Sequence, residues 1–337
     1  MPRTLLVSAK VIAEFGSRIN DIIAAAPRAM DIVPFTPALQ LGPEQIANLE
    51  AAYYSRDIWE GTEKSVLSPA AQAFWAIIDR AQNLEWMAVY SAGMDQKRYV
   101  DALKRGVRLT SSAGAQSEAV GLACATGVLA LARGVPHWLN AQQRREWSPL
   151  RGRDVPPDIP GQTAVIVGTG YIGSVIARML QAARMKTVGV RRNATPAGHF
   201  DQMRPPAVLD SLLPTCDWLV IACPLAPETR NLIDARRLAL MKPTAGVANI
   251  ARGEIIDETA LAEALKAGRL KHAYLDVFHT EPLPVESPLW DLPNVLISPH
   301  NAGASTGTYA RGVEIFMQNL HNYLKAQPLT NEAAIVP

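Results

Sequence analysis

The hexapeptide GTGYIG most narrows the folds that this chain can adopt. It places Gly168, Gly170 and Gly173 directly after the apolar run AVIV and at the start of a helical pattern. In such a turn the first glycine permits tight reversal, the second lets a pyrophosphate reach the main chain, and the third lets helix and strand pack closely. The helix N-terminus offers N–H donors and partial positive charge to phosphates. The pattern predicts a dinucleotide-binding domain, in which Tyr171 and Ile172 of the same turn also contact the cofactor.

Strand-length apolar runs alternate with helical patterns along the whole chain. In the first half the runs are LLVSA, DIVPF, the segment around Tyr53 and Tyr54, and WMAVYSAG, with helical patterns in GPEQIANLE and PAAQAFWAIIDRAQ. In the second half they are AVIVG, KTVGV, DWLVIAC, GVANI, HAYLDVF and VLISPH. This alternation predicts parallel sheets with crossover helices. We expect an α/β protein of two Rossmann/flavodoxin-like, doubly wound domains with an active-site cleft between them.

The domain boundaries follow from two long helical patterns, residues 116–133 and 307–325. We predict a substrate domain of residues 1–113 and 305–337, and a dinucleotide domain of residues 114–304. The polar, proline-rich stretch 134–162 is predicted to be an extended excursion on the surface. Either it is a solvated loop, or it is an arm that packs on a second subunit. We favour the arm and hence a homodimer, because Trp138 and Trp147 would otherwise be exposed.

The charge and cysteine content exclude several classes of protein. Over 337 residues, 33 Lys and Arg stand against 31 Asp and Glu, which argues against nucleic-acid and membrane-surface partners. The most apolar long stretch, residues 121–132, is too short to span a bilayer. Cys124, Cys216 and Cys223 lack CxxC spacing, and the histidines lack metal-ligand spacing, so neither a disulfide framework nor a metal site is expected. A reducing, cytoplasmic location is predicted.

The residues after the second strand of the dinucleotide domain indicate which cofactor it binds. That strand ends in Val190-Arg191-Arg192, where an NAD site normally carries an acidic residue for the ribose 2′-hydroxyl. Five basic residues and no acidic one lie between Arg178 and Arg192. Since arginine binds a 2′-phosphate through charge-assisted hydrogen bonds, we predict NADP(H) in preference to NAD(H), which stays possible. One arginine of the pair also fits a solvated basic turn.

Three downstream segments each place a polar side chain at a strand end. They are NIARGEIIDETAL with Arg252, LDVFHTEPLP with Asp276 and Glu281, and SPHNAG with His300. Ligands of open α/β sheets bind at the carboxyl ends of the strands, so these groups are expected to converge. Taken singly, each has a structural alternative: an ion-pair partner for Arg252, a solvated turn for Glu281 and a strand cap for His300.

Five ordered motifs resemble the D-isomer-specific 2-hydroxyacid dehydrogenases: the glycine turn, PLAPETRNLID, ARG, DVFxxEPLP and PHxAG. The resemblance implies hydride transfer between a nicotinamide cofactor and a 2-oxo acid. A guanidinium suits the substrate carboxylate, which is the role implied for Arg252. An imidazole suits the proton donor at the reduced carbon, which is the role implied for His300. Glu281 is implied as the carboxylate that fixes the imidazole tautomer.

The same resemblance implies further contacts with substrate and cofactor. The segment YSAGMD resembles the glycine loop of the family, in which the main-chain N–H groups of Ala92 and Gly93 bind the substrate carboxylate. Asp276 is implied to lie near the nicotinamide carboxamide. The cofactor walls are implied to comprise Cys223, Pro224, Ile250 and Ala251. By position only, the candidates for the substrate side-chain pocket are Tyr53, Tyr54, Arg56 and Trp59.

The function expected first is NADPH-dependent reduction of a small 2-oxo acid of the glyoxylate/hydroxypyruvate type to the D-2-hydroxy acid. Arg191-Arg192 and the lack of a regulatory domain after the last helical pattern favour it. A second expectation is an NAD-dependent dehydrogenase of a bulkier D-2-hydroxy acid. A third is a dinucleotide-sensing protein that resembles the family's corepressors, since that branch retains the same motifs. Turnover with a 2-oxo acid and NADPH distinguishes an enzyme from a sensor.

Overall fold

The computed structural model describes residues 3–59, 67–193, 195 and 198–333. The chain forms two compact units, Met1–Gln116 with Ser305–Pro337 (unit 1) and Ser117–Ala304 (unit 2). Unit 2 thus begins at Ser117, whereas the sequence-based boundary lies after residue 113.

Unit 1 is built on a five-stranded parallel sheet. Its order is β2-β1-β3-β4-β5, which is the flavodoxin-like arrangement. The strands are β1 (Thr4–Ser8), β2 (Asp31–Phe35), β3 (Leu49–Tyr54), β4 (Trp86–Val89) and β5 (Arg108–Ser111). Every residue of β3 and β4 is buried, because helices cover both faces of a parallel sheet. The four strands predicted in this half are confirmed, and β5 is an addition.

Between these strands the described residues form the helices α1 (Ala9–Ala24), α2 (Pro43–Ala47), α3 (Arg56–Trp59), α4 (Pro69–Ile78) and α5 (Lys97–Lys104). The hydroxyl of Ser8 accepts the N–H of Val11 and starts α1, and Ser68 caps α4 in the same way. The predicted helix GPEQIANLE is wrong at its end. α2 stops at Ala47 because Leu49 and Glu50 enter β3, where Leu49 is fully buried.

Unit 2 is built on a seven-stranded parallel sheet. Its strands are β6 (Thr163–Val167), β7 (Lys186–Val190), β8 (Gln202–Arg204), β9 (Trp218–Ile221), β10 (Gly246–Asn249), β11 (His272–Leu275) and β12 (Val295–Ile297). The order β12-β11-β10-β9-β6-β7-β8 is that of a Rossmann fold, with the strand order reversing between β6 and β9. Ligands of such sheets bind at the carboxyl ends of the strands beside this reversal. The α/β class with two parallel sheets is confirmed.

In the described part of unit 2 the second sheet is accompanied by the helices α6 (Ser117–Ala132), α7 (Val135–Gln143), α8 (Tyr171–Ala182), α9 (Leu209–Leu212), α10 (Ala235–Leu240) and α11 (Glu258–Lys266). The long apolar α6 packs so closely on the sheet and on α8 that a Cβ at Gly121 or Gly127 would overlap Val175 or Tyr274. The last helix, α12 (Thr308–Leu324), belongs to unit 1, where Phe316 stacks on Tyr53 with ring centroids 4.2 Å apart.

The stretch 134–162 differs from its predicted form. Its first part is helix α7 rather than an extended excursion, because Pro136 stands in the first turn, where its missing N–H costs nothing. The remainder is irregular apart from a 3₁₀ turn at Gly152–Asp154. Trp138 and Trp147 stay 45% and 98% exposed. Within the described residues, no single helix has the length and apolar character to cross a membrane, and only the bent pair α6 and α7 meets both criteria together.

Candidate active site

The glycine turn at the end of β6 is shaped by two very close main-chain approaches. Gly168 has φ of 102°, and a Cβ there would lie 2.5 Å from the main chain of Ala222 and Cys223. A Cβ at Gly173 would lie 2.0 Å from the carbonyl oxygen of Gly168. Both positions therefore require glycine, whereas the space next to Gly170 is open. An open main chain beside a tight turn is what a pyrophosphate group needs.

The first turn of α8 faces that open space without a side-chain cap. Gly170 is its N-cap residue and supplies no side-chain acceptor, so the first N–H groups are available to an anion. The turn is joined to β7 by a hydrogen bond from Gly168 N to Val190 O, 3.0 Å long. Arg191 and Arg192, which follow β7, are exposed. These features suit the phosphates of a dinucleotide.

The segment after β9 forms another wall beside the glycine turn. Cys223 is buried, and burial raises the pKa of its thiol to about 11, so it is a packing residue rather than a nucleophile. Pro224 is exposed, and its carbonyl oxygen accepts the hydroxyl of Thr229 at 2.8 Å. Thr229 also accepts the N–H of Ala226 at 2.7 Å, which closes the loop on itself.

The loop after β10 positions Arg252. Asn249 is buried at the strand end and binds both sides of the loop, accepting the N–H of Ala251 at 3.1 Å and donating to the carbonyl of Arg252 at 2.9 Å. Ile250 and Ala251 are buried. Asn249 was not identified from the sequence. A polar residue at the end of a buried strand, as in NIARG, could have indicated that it holds the following loop.

At Gly253 this loop packs closely against the segment that follows β11. A Cβ at Gly253 would lie 2.0 Å from the carbonyl carbon of Phe278. The N–H of Phe278 in turn donates to Oε1 of Glu281 at 3.2 Å. The segments that carry Arg252 and Glu281 are therefore in direct contact, at the carboxyl ends of neighbouring strands.

Glu281 and His300 form the pair that the motifs predict. Nδ1 of His300 lies 2.9 Å and 3.0 Å from the two carboxylate oxygens of Glu281. The Glu281 side chain is 18% exposed and that of His300 is 36% exposed. In the described part of the chain, Nε2 of His300 has no hydrogen-bond partner. An imidazole held by a carboxylate at one nitrogen and open at the other can transfer a proton.

Asp276 anchors the loop that carries His300. One carboxylate oxygen of this buried residue accepts the hydroxyl of Ser298 and the N–H groups of Asn301 and Ala302, at 2.5, 2.9 and 3.0 Å. This anchoring was not predicted, since the motif resemblance implies only a contact with the nicotinamide. The sequence signal was an acid directly after a buried strand.

The loop after β4 presents two main-chain donors in unit 1. The hydroxyl of Ser91 donates to Gly93 O at 2.9 Å and shapes the loop. Within the described residues, the N–H groups of Ala92 and Gly93 bind no acceptor, so they can bind an anion. Two of the residues proposed by position for the substrate pocket are misplaced: Tyr53 and Tyr54 are fully buried in the hydrophobic core.

No cluster of three metal-ligating side chains occurs among the residues described, so the structure offers no candidate metal centre there. The chemistry available is that of a dinucleotide site with a histidine–carboxylate pair and a guanidinium. These groups follow β6, β10, β11 and β12, which end at one edge of one sheet.

Comparisons with known proteins agree with this geometry. The family model of the D-isomer specific 2-hydroxyacid dehydrogenase, NAD binding domain, matches residues 125–302. The chain is 35% identical over 274 residues to glyoxylate/hydroxypyruvate reductase B of Pectobacterium atrosepticum, covering 80% of this chain and 85% of that one.

Solved structures agree as well. A D-isomer specific 2-hydroxyacid dehydrogenase family protein from Aeromonas salmonicida superposes with a TM-score of 0.79 at 28% identity, covering 100% of both chains. A second one, from Xanthobacter autotrophicus, was solved with NADPH and MES; it superposes with a TM-score of 0.73 at 25% identity, covering 99% of this chain and 98% of that one. The chain therefore belongs to the D-isomer-specific 2-hydroxyacid dehydrogenase family, whose members are NAD(P)-dependent oxidoreductases.

Proposed function

We propose that this protein reduces a small 2-oxo acid, such as glyoxylate or hydroxypyruvate, to the D-2-hydroxy acid with NADPH. The observation that carries the proposal is the His300–Glu281 pair, in which the second imidazole nitrogen has no hydrogen-bond partner among the described residues. The relative from Pectobacterium atrosepticum, named a glyoxylate/hydroxypyruvate reductase, supports this substrate class.

Each group has a role that its chemistry and position support. The guanidinium of Arg252 binds the substrate carboxylate through paired hydrogen bonds, which orients the keto group. Nε2 of protonated His300 donates the proton that the developing alkoxide needs. Glu281 keeps the proton of Nδ1 in place and stabilises the imidazolium. When a reduced nicotinamide is bound, it supplies the hydride for the reacting carbon.

Other residues hold the cofactor and the substrate. The N–H groups of the glycine turn and of the first turn of α8 bind the pyrophosphate. Arg191 and Arg192 bind the 2′-phosphate, which supports a preference for NADPH. Cys223, Pro224, Ile250 and Ala251 would hold the nicotinamide half, and Asp276 would bind near its carboxamide. The free N–H groups of Ala92 and Gly93 provide a second site for the substrate carboxylate.

We further propose a homodimer formed through unit 2. The support is a group of large apolar side chains left exposed on α6, α7 and the segment after them: Leu122, Trp138, Leu139 and Trp147. A cytoplasmic location stays a prediction from the cysteine content.

Steady-state kinetics with glyoxylate, hydroxypyruvate and phenylpyruvate, each with NADPH and NADH, test the proposed function. We expect turnover with the two small acids and a higher kcat/KM for NADPH. His300→Ala is expected to lower kcat about 10³-fold with nearly unchanged NADPH affinity, because it removes the proton donor. Glu281→Gln is expected to lower kcat, because the imidazole loses the carboxylate that its Nδ1 binds.

The alternatives predict different results in the same experiment. A preference for NADH with phenylpyruvate would indicate a dehydrogenase of bulkier acids. No sustained turnover with any of the three acids, together with tight dinucleotide binding, would indicate a sensor. His279→Ala is a suitable control, since this exposed histidine lies in the same segment as Glu281 and, among the described residues, its side chain makes no hydrogen bond, while its main-chain N–H donates to Glu258.

A further inference from the structure

The edge strand β8 brings the main chain of another arginine, Arg204, to the end of β7. Val190 and Arg204 are partners in the parallel β7–β8 ladder. The N–H of Arg191 donates to the carbonyl of Arg204 at 3.1 Å. Gly168 of the phosphate-binding turn binds Val190 of the same ladder. Arg204 therefore lies at the carboxyl edge of the sheet next to Arg191, although it is 13 residues away in the sequence.

The charge of Arg204 is held in place by neutral groups. Its guanidinium donates to the carbonyl of Met203 at 3.0 Å and to the amide oxygen of Gln202 at 2.8 Å. No carboxylate among the described residues pairs with Arg204 or Arg191. A guanidinium that is oriented but not neutralised is suited to bind an anion.

Asp201, the acid directly before β8, does not lie at the carboxyl end of the ladder. The carboxylate of Asp201 accepts the N–H of Thr187 at 2.7 Å, close to the amino ends of β7 and β8. These main-chain and side-chain bonds lower the pKa of Asp201, with the Thr187 N–H as the largest cause. The Asp201 carboxylate therefore binds at the opposite end of the ladder and does not neutralise Arg204.

Arg192 differs from its two neighbours because it has an acidic partner. Its Nη1 lies 3.5 Å from Oε1 of Glu228, and the side chains are 89% and 57% exposed. Such an exposed pair is weak and screened by salt, so an anion can displace the carboxylate. While the pair persists, Glu228 competes with any phosphate for Arg192.

We propose that Arg204 is a third arginine that recognises the 2′-phosphate of NADP(H), and that Glu228 weakens this recognition by pairing with Arg192. The inference rests on the proposed preference for NADPH. It adds the residues that determine how strongly NADP(H) is preferred over NAD(H). Three guanidinium groups against one carboxylate leave a net positive site, which favours a phosphate dianion over the uncharged 2′-hydroxyl of NAD(H).

The test is calorimetric titration of the full chain with NADP⁺ and with NAD⁺ at low ionic strength. Arg204→Gln is expected to raise the Kd for NADP⁺ about five- to tenfold and to change the Kd for NAD⁺ less than about twofold. Glu228→Gln is expected to lower the Kd for NADP⁺ about twofold. Arg204→Lys is expected to give an intermediate Kd, because lysine keeps the positive charge but loses the paired N–H donors of the guanidinium.

Arg269→Gln is the matched control. This exposed arginine lies between α11 and β11, at the amino edge of the sheet, and its loss changes the net charge equally. Equal NADP⁺ Kd values for Arg204→Gln and Arg269→Gln would overturn the inference. If Arg191→Gln and Arg192→Gln weaken NADP⁺ binding in that case, the proposed cofactor stands without Arg204. A wild-type protein that binds NAD⁺ more tightly than NADP⁺ would instead contradict the proposed cofactor itself.

Discussion

The carbonyl oxygen of Asp276 accepts the main-chain N–H of His300 at 2.8 Å, while the Asp276 carboxylate binds the residues on either side of that histidine. His300 has φ of 49°, in the left-handed region that non-glycine residues rarely adopt. That conformation costs about 1 kcal/mol, which the hydrogen bonds of Asp276 offset. The position of the imidazole therefore depends on a residue that directly follows the neighbouring strand β11.

Replacing Asp276 is expected to affect both stability and catalysis. Asp276→Ala leaves two main-chain N–H groups and the Ser298 hydroxyl without their acceptor, which lowers the free energy of unfolding by ~2–4 kcal/mol. The loop then no longer holds His300, so kcat falls as well. Asp276→Asn keeps one acceptor oxygen and is expected to retain more of both. Denaturant unfolding and steady-state kinetics measure the two effects.

An equal loss of kcat in both variants, with unchanged stability, would contradict the anchoring role. That result would indicate that the charge of Asp276 acts on the bound cofactor instead. Asp291→Asn serves as a control, since this exposed acid lies in a 3₁₀ turn of the same unit.

Local patterns explain which parts of the structure were predictable. The glycine turn and most strands follow from spacing and apolar runs, so they were identified from the sequence. The end of α2 was not, because pairing with β1 draws Leu49 and Glu50 into β3. Tyr53 and Tyr54 are candidates for the substrate pocket by position only, and the structure buries them, because β3 is buried on both faces and its sequence lacks the apolar–polar alternation that would mark an exposed face. The bonds of Asp276 to residues 298–302 depend on tertiary structure alone.

Gly253→Ala is expected to disturb the contact between the Arg252 and Glu281 segments. The new methyl group would overlap the main chain of Phe278, which cannot move away as a side chain can. We expect a loss of about 1–3 kcal/mol in stability and at least about tenfold in kcat, because the guanidinium is displaced. Gly198→Ala is the control, since a Cβ there meets nothing within 4 Å. Matching kinetics for the two variants would refute this contact as a requirement for activity.

His272 is expected to make the stability of unit 2 sensitive to acid. Its ring stacks on Trp218 at 6.2 Å, and its buried Nδ1 has no hydrogen-bond partner within the described residues. Burial, with a smaller effect of Lys271, lowers its pKa to about 4. The unfolded chain binds this proton near pH 6.5. The stabilising contribution is therefore complete above pH 6.5 and is lost as the pH falls to 4, to a total of at most about 3 kcal/mol.

His272→Phe keeps a ring on Trp218 but cannot be protonated. The difference in unfolding free energy between this variant and the wild type is expected to grow in favour of the variant between pH 6.5 and 4. His199→Gln, which alters an exposed histidine of the same unit, should leave the wild-type slope unchanged. Parallel stability curves for wild type and His272→Phe across that range would rule out His272 as the origin.

The exposed tryptophans of unit 2 give a direct test of the proposed homodimer. Trp147 is almost fully accessible, and Leu139 and Trp138 are about half exposed on α7 just before it. Large aromatic side chains dominate the binding energy of interfaces, so Trp147→Ser is expected to raise the dimer dissociation constant by at least about tenfold. Light scattering over a dilution series measures that constant. Trp290→Ser is the matched control, because Trp290 is also an exposed indole of unit 2, at 50% exposure, but donates to the carbonyl of Pro284 in its own chain. If the wild type is monomeric at every concentration, or if both serine variants weaken association to the same extent, this face is not the interface.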